Sequence, residues 1–78
     1  MKRHTTRFAL CLDNSRTEAS LILGKVYRLL PDPVAAKDGL IRVIDESGED
    51  YLFSKSQFEV VEFPQAVRRR LLALQKAG

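Results

Sequence analysis

The chain has 78 residues, 45% of them apolar, and a formal net charge of +3. That length supports one domain with a thin core, and that apolar fraction argues against wholesale disorder. The single cysteine, Cys11, excludes an intramolecular disulfide and a zinc site built from thiolates. Cys11 reads as a small hydrophobe on a strand, ahead of any redox or nucleophilic role, and a lone thiol fits a reducing cytoplasm.

The N-terminus starts like a signal peptide and then departs from one. Lys2 and Arg3 precede the apolar run Phe8-Ala9-Leu10-Cys11-Leu12, which is five residues long and ends in Asp13-Asn14. A signal peptide needs about 7–15 apolar residues and a membrane span about 20. The expectation is a cytoplasmic protein with no membrane partner.

Charge is unevenly placed. Residues 1–8 carry Lys2, Arg3 and Arg7, a charge of +3. Residues 9–63 hold six bases and ten acids, or −4, and residues 64–78 hold Arg68, Arg69, Arg70 and Lys76, or +4. An acidic body therefore stands between two basic ends, and the basic balance belongs to the ends.

In chain order, residues 1–7 read as a basic tail and Phe8 to Asp13 as the first strand. Asn14 to Ser20 is a polar loop. Gly24 to Leu30, GKVYRLL, is the second strand. Pro31-Asp32-Pro33 stops it, because proline cannot donate to a ladder and pushes its predecessor to extended geometry. Val34 to Lys37 fits one helical turn closed by Asp38-Gly39.

A hairpin follows. Leu40-Ile41-Arg42-Val43-Ile44 is rich in β-branched and apolar residues. Glu46-Ser47-Gly48-Glu49 supplies turn chemistry, with Gly48 free to take positive φ. A four-residue loop pairs Asp45 with Asp50, Ile44 with Tyr51, Val43 with Leu52 and Arg42 with Phe53. Ile41, Val43 and Leu52 then face the core, and Ile44 and Tyr51 face outward.

Ser54 to Gln57 suits a 3-10 turn, and Phe58 to Phe63 is the last strand, with Phe58 and Val60 sharing a face. Pro64 fits the first turn of a helix over Gln65 to Ala77. In that helix Val67, Leu71 and Leu74 form an apolar stripe at helical period. The stripe is expected to be buried against the rest of the domain or against a second copy, so a homodimer through this helix is one reading. The basic residues near the helix start oppose its dipole.

The order of strand, polar loop, GKVYRLL, connector, hairpin, single turn and strand resembles the SH3-like barrel superfamily. Asp50-Tyr51-Leu52-Phe53-Ser54 followed by Gln57-Phe58 is similar to the end of an SH3 domain. The string FALCLDN…LGKVYRLLPD…GLIRVIDESGEDYLF looks like a family of small uncharacterised bacterial proteins. The resemblance covers residues 8–63. It implies a mainly β fold, a small five-stranded SH3-like barrel; the C-terminal α-helix of residues 64–78, read from the spacing of Val67, Leu71 and Leu74, is expected to pack on that barrel or on a partner. It implies no reaction. The groove that takes proline-rich peptides is built from stacked aromatics. This chain has no Trp, and Tyr27 and Tyr51 do not rebuild that platform, so a proline-rich ligand is rejected.

The remaining chemistry is sparse. His4 is the only histidine, and it stands in the basic tail without a held partner such as catalysis needs. Ser15, Thr17, Ser20, Ser47, Ser54 and Ser56 lack a base to activate them. The glycines form no phosphate loop. No enzyme activity and no cofactor are expected.

Asp45, Glu46, Glu49 and Asp50 cluster at the hairpin tip without calcium-loop spacing, and polar turns attract such residues anyway. The leading expectation is a non-catalytic protein-interaction module or accessory subunit. Its contacts would be Asp45, Glu46, Glu49, Asp50, Tyr51 and Phe53, or the apolar face of the helix. The alternative is weak, non-specific nucleic-acid binding by Lys2, Arg3, Arg7, Arg68, Arg69 and Arg70. Against it, three consecutive arginines fan around a helix and do not make one stripe, and a solvated helix face is the stronger reading of them.

Overall fold

Five antiparallel strands form one sheet, and a C-terminal helix follows them in this computed structural model, which describes residues 7–77. The strands are β1 (Arg7–Cys11), β2 (Val26–Leu30), β3 (Leu40–Ile44), β4 (Asp50–Ser54) and β5 (Phe58–Val61). Helix α1 (Pro33–Lys37) joins β2 to β3, a 3-10 turn (Lys55–Gln57) joins β4 to β5, and α2 (Gln65–Ala77) ends the chain. The spatial order is β4-β3-β2-β1-β5, so β5 returns to the free side of β1. Lys2, Arg3 and His4 lie outside the described residues.

Each element follows from local chemistry. Pro33 occupies the first turn of α1, where it loses no hydrogen bond. Asp32 caps that helix by accepting from the Ala35 N–H at 3.0 Å. Ser54 and Gln57 form a reciprocal capping box around the 3-10 turn.

Gln57 ties that turn to the β1–β2 loop. Its side-chain amide donates to the Asp13 carbonyl at 2.9 Å and to Thr17 Oγ1 at 3.0 Å. Its own carbonyl accepts from the Leu12 N–H at 2.8 Å. The segment between β1 and β2, expected only as a polar loop, is thus pinned in place.

The core lies on one face of the sheet. β1 pairs Ala9 with Tyr27 and Val60, and Cys11 with Phe58. Those residues pack with Leu21, Leu29, Val43 and Phe53. Burial pushes the Cys11 thiol pKa up, as a structural cysteine requires. Phe8 points to the opposite face yet is fully buried, with Phe63 edge-on at 5.9 Å.

The hairpin register differs from the sequence expectation by one residue. The Asp45 N–H donates to Glu49 at 3.0 Å and the Gly48 N–H donates to Asp45 at 3.0 Å. The loop is therefore three residues, Glu46-Ser47-Gly48, with Gly48 at φ +86. Ile44 pairs with Asp50, Val43 with Tyr51, Arg42 with Leu52 and Ile41 with Phe53. A one-residue shift exchanges the two faces of the returning strand. Phe53 is 8% exposed and belongs to the core, while Leu52 is 41% exposed.

The helix stripe is only partly covered within one copy of the chain. Val67 is 40% exposed and Leu74 is 62% exposed, and Leu71 is half-buried. One copy of the chain leaves most of this stripe in solvent.

Candidate interaction site

Where β2 and β3 diverge, a groove opens between them and α2. The two strands pair only through Leu29 with Val43 and Leu30 with Arg42. Beyond those pairs, Lys25 to Arg28 form one wall, residues 44–48 form the other, and Leu71, Leu74 and Gln75 of α2 close a side. The open volume is about 840 Å³. Val26, Ile44, Leu71 and Leu74 give it apolar surface.

A polar bridge fixes the groove at the level of Tyr27 and Glu46. The Tyr27 hydroxyl donates to the Glu46 carboxylate. It also accepts from the Ile22 N–H at 2.7 Å. Lys25 Nζ reaches the same carboxylate oxygen at 2.6 Å, and its ammonium lies 5.4 Å from the centre of the Tyr27 ring. Hydrogen bonds from Lys25 and Tyr27 hold the Glu46 carboxyl below its ordinary range. Burial, with the bond to Glu46, pushes the Tyr27 phenol well above its own. The Glu46 N–H also donates to the Ser20 carbonyl at 3.0 Å, docking the hairpin tip on the β1–β2 loop.

The acidic residues expected at the tip do not act as one surface. Asp45 is 7% exposed, and its Oδ1 accepts from the Ser47 N–H at 2.8 Å and the Ser47 hydroxyl at 2.6 Å. It holds the turn and presents nothing outward. Phe53 belongs to the core, with 8% of its surface exposed.

Asp50 is engaged by Arg42, which spans from Asp32 at 2.9 Å to Asp50 at 2.9 Å. The Ala35 N–H and then Arg42 hold the Asp32 carboxyl below its usual range. Glu49 is exposed and accepts from the Tyr51 hydroxyl at 2.9 Å, which raises the Tyr51 phenol. Glu46, Glu49, Asp50 and Tyr51 therefore remain the outward part of the tip.

The basic residues are also divided. Arg68 folds back and donates to the Phe63 carbonyl at 3.0 Å. Arg69 and Arg70 are exposed, and among the described residues neither makes an ion pair. Arg7 is exposed at the start of β1, across from Leu29. Lys2 and Arg3 lie outside the described residues.

Among the described residues no three of His, Cys, Asp and Glu come together to hold a metal ion, and no helix is long and apolar enough to cross a membrane. Comparison of the chain with protein-family models, with curated proteins and with solved structures finds no match.

Sequence reasoning missed the groove. Lys25, Val26, Tyr27, Arg28 and Ile44 gave no sign of standing at a gap, since the loss of pairing between two strands has no local signature. Tyr27 carried one clue. A tyrosine among the core-facing positions of a strand needs a partner for its hydroxyl, and an acid across the gap meets that need.

Proposed function

We propose that this chain is a non-catalytic protein-interaction module built on an SH3-like barrel, with its contact surface at the groove between α2 and the β3–β4 tip. The strand order β4-β3-β2-β1-β5 supports the barrel reading, since an SH3-like barrel also returns its last strand to the first and joins its last two strands through a 3-10 turn. The observation that carries the function is the position of Leu74. It is a large apolar side chain, 62% exposed, at the rim of a groove whose other wall is an acidic turn. Exposed apolar surface rimmed by polar groups marks protein contact sites.

The test compares capture of partners from native cells by the wild-type chain and by Leu74→Glu. The reading expects a defined protein retained by the first and lost by the second, with both chains equally folded. Identical capture by the two would remove the groove from the function.

A second reading rests on Arg69 and Arg70, which are exposed and without ion pairs among the described residues. They would give weak nucleic-acid binding with a steep salt dependence. The acidic body opposes phosphate, so the affinity expected is in the non-specific range of about 10⁻⁴–10⁻⁶ M. A titration with Arg68, Arg69 and Arg70 replaced by Gln decides it.

A further inference from the structure

The free edge of the sheet has a definite hydrogen-bonding pattern. The Asp45 N–H donates to Glu49 at 3.0 Å and the Lys55 N–H donates to the Gly39 carbonyl at 2.9 Å. Bonded and non-bonded pairs alternate along an antiparallel ladder. Those two bonds therefore make Ile41–Phe53 and Val43–Tyr51 the bonded pairs, and Asp50, Leu52 and Ser54 turn their backbone groups away from β3. No strand lies on that side of β4. The Ser54 N–H is taken by Gln57 Oε1 at 3.3 Å. The N–H and C=O groups of Asp50 and Leu52 have no partner among the described residues.

Nothing in β4 blunts this edge. Its sequence, DYLFS, holds no proline and no lysine, and its register runs without a bulge. Asp50, its one charge, is held by Arg42 of β3. Tyr51 is 48% exposed and Leu52 41%. An open edge with apolar side chains is a template for one more strand.

We propose that the added strand is β4 of a second copy of this chain, antiparallel to the first across a two-fold axis at Leu52. Self-complementarity selects this occupant. Leu52 then lies opposite Leu52 of the other copy, Tyr51 opposite Phe53, and Asp50 opposite Ser54. At the two ends Glu49 lies opposite Lys55. Both of these residues are exposed, and neither makes an ion pair among the described residues. Opposite charges facing each other across strands stabilise the pairing, and like charges oppose it.

The two-fold makes each contact twice and closes the assembly at two copies. The neighbouring registers with the same bonding pattern set Leu52 against Asp50 or Ser54 and lose the match of Glu49 with Lys55. β3 stands between this edge and the groove, so the dimer does not depend on the groove's function.

Sedimentation equilibrium of the full chain tests this, from about 1 to about 300 µM and with a Kd expected in the micromolar range. The wild type is expected at twice the mass of one chain at the upper concentrations. Amide hydrogen exchange followed by NMR locates the contact without any substitution. The Asp50 and Leu52 N–H groups should exchange quickly in dilute protein and slow as the concentration rises. Glu49→Lys should raise Kd about 10-fold, and adding Lys55→Glu to the same chain should restore it. Circular dichroism confirms that both variants keep the fold.

A folded wild type that stays monomeric throughout would overturn the proposal. So would a dimer in which the Asp50 and Leu52 N–H groups exchange as fast as in the monomer. A dimer that ignores Glu49→Lys, or one that the double exchange fails to restore, would overturn the register.

Discussion

The Tyr27 hydroxyl joins the Glu46 carboxylate across the gap between β2 and the hairpin tip, and it accepts the Ile22 N–H from the other side. The end of the β1–β2 loop, β2 and the hairpin tip therefore meet at one oxygen. No backbone ladder links β2 and β3 at this level, so the side chain does the linking.

Tyr27→Phe tests that role. It keeps the ring in the core but leaves the Ile22 N–H without its acceptor and removes a donor from Glu46. An unsatisfied group of this kind costs about 1–3 kcal/mol. Urea unfolding should show a loss in that range with an unchanged m-value. A midpoint equal to the wild type would mean that water replaces the hydroxyl at no cost.

The same cluster sets a pH dependence. The folded pKa of Glu46 is depressed below the ordinary 4.5 by Lys25 and Tyr27. A depressed carboxyl contributes stability that is fully present above the unfolded pKa and lost as pH falls through the folded value. Stability should therefore hold at neutral pH and decline below about 4.5. Asp32 and Asp13, also depressed, act in the same direction. In Glu46→Gln the decline should be shallower, and the gap to the wild type should close toward low pH. Parallel stability curves for the two proteins between neutral and acid pH would rule out a contribution from Glu46.

Much of the fold was legible because the signals were local. The proline stop after Leu30, the turn at Gly48, the single turn after Ser54 and the helix after Pro64 each depend on a few adjacent residues. The register of the hairpin was not legible. Asp45 can end β3 or open a turn, and only the Asp45 N–H bond to Glu49 distinguishes a three-residue from a four-residue loop. That single residue exchanged Leu52 and Phe53 between faces. The groove and the half-covered stripe of α2 depend on contacts between distant segments, which no window of sequence records.

Gly48 offers a direct check of the turn. Its φ is +86, and a Cβ built there meets nothing within 4 Å. Substitution is therefore opposed by backbone conformation alone, without a steric clash against neighbours. Gly48→Val should cost about 1–2 kcal/mol, the expense of left-handed backbone for a side-chain-bearing residue. Gly48→Asn should cost less, since Asn tolerates that region. Thermal melts that rank the two variants in the opposite order would refute the assignment.

The last prediction separates the observed register from its neighbour. Phe53 lies in the core, with Phe58 edge-on at 6.1 Å, and Leu52 points to the other face with 41% of its surface exposed. Truncating a buried phenylalanine removes transfer energy and leaves a cavity, so Phe53→Ala should cost about 3–5 kcal/mol. Leu52→Ala removes a side chain that already has 41% of its surface in solvent and should cost less, about 1 kcal/mol. Chemical denaturation of both variants reads the difference directly. If the hairpin instead paired Val43 with Leu52, the two costs would be reversed, because every side chain of β4 would change face.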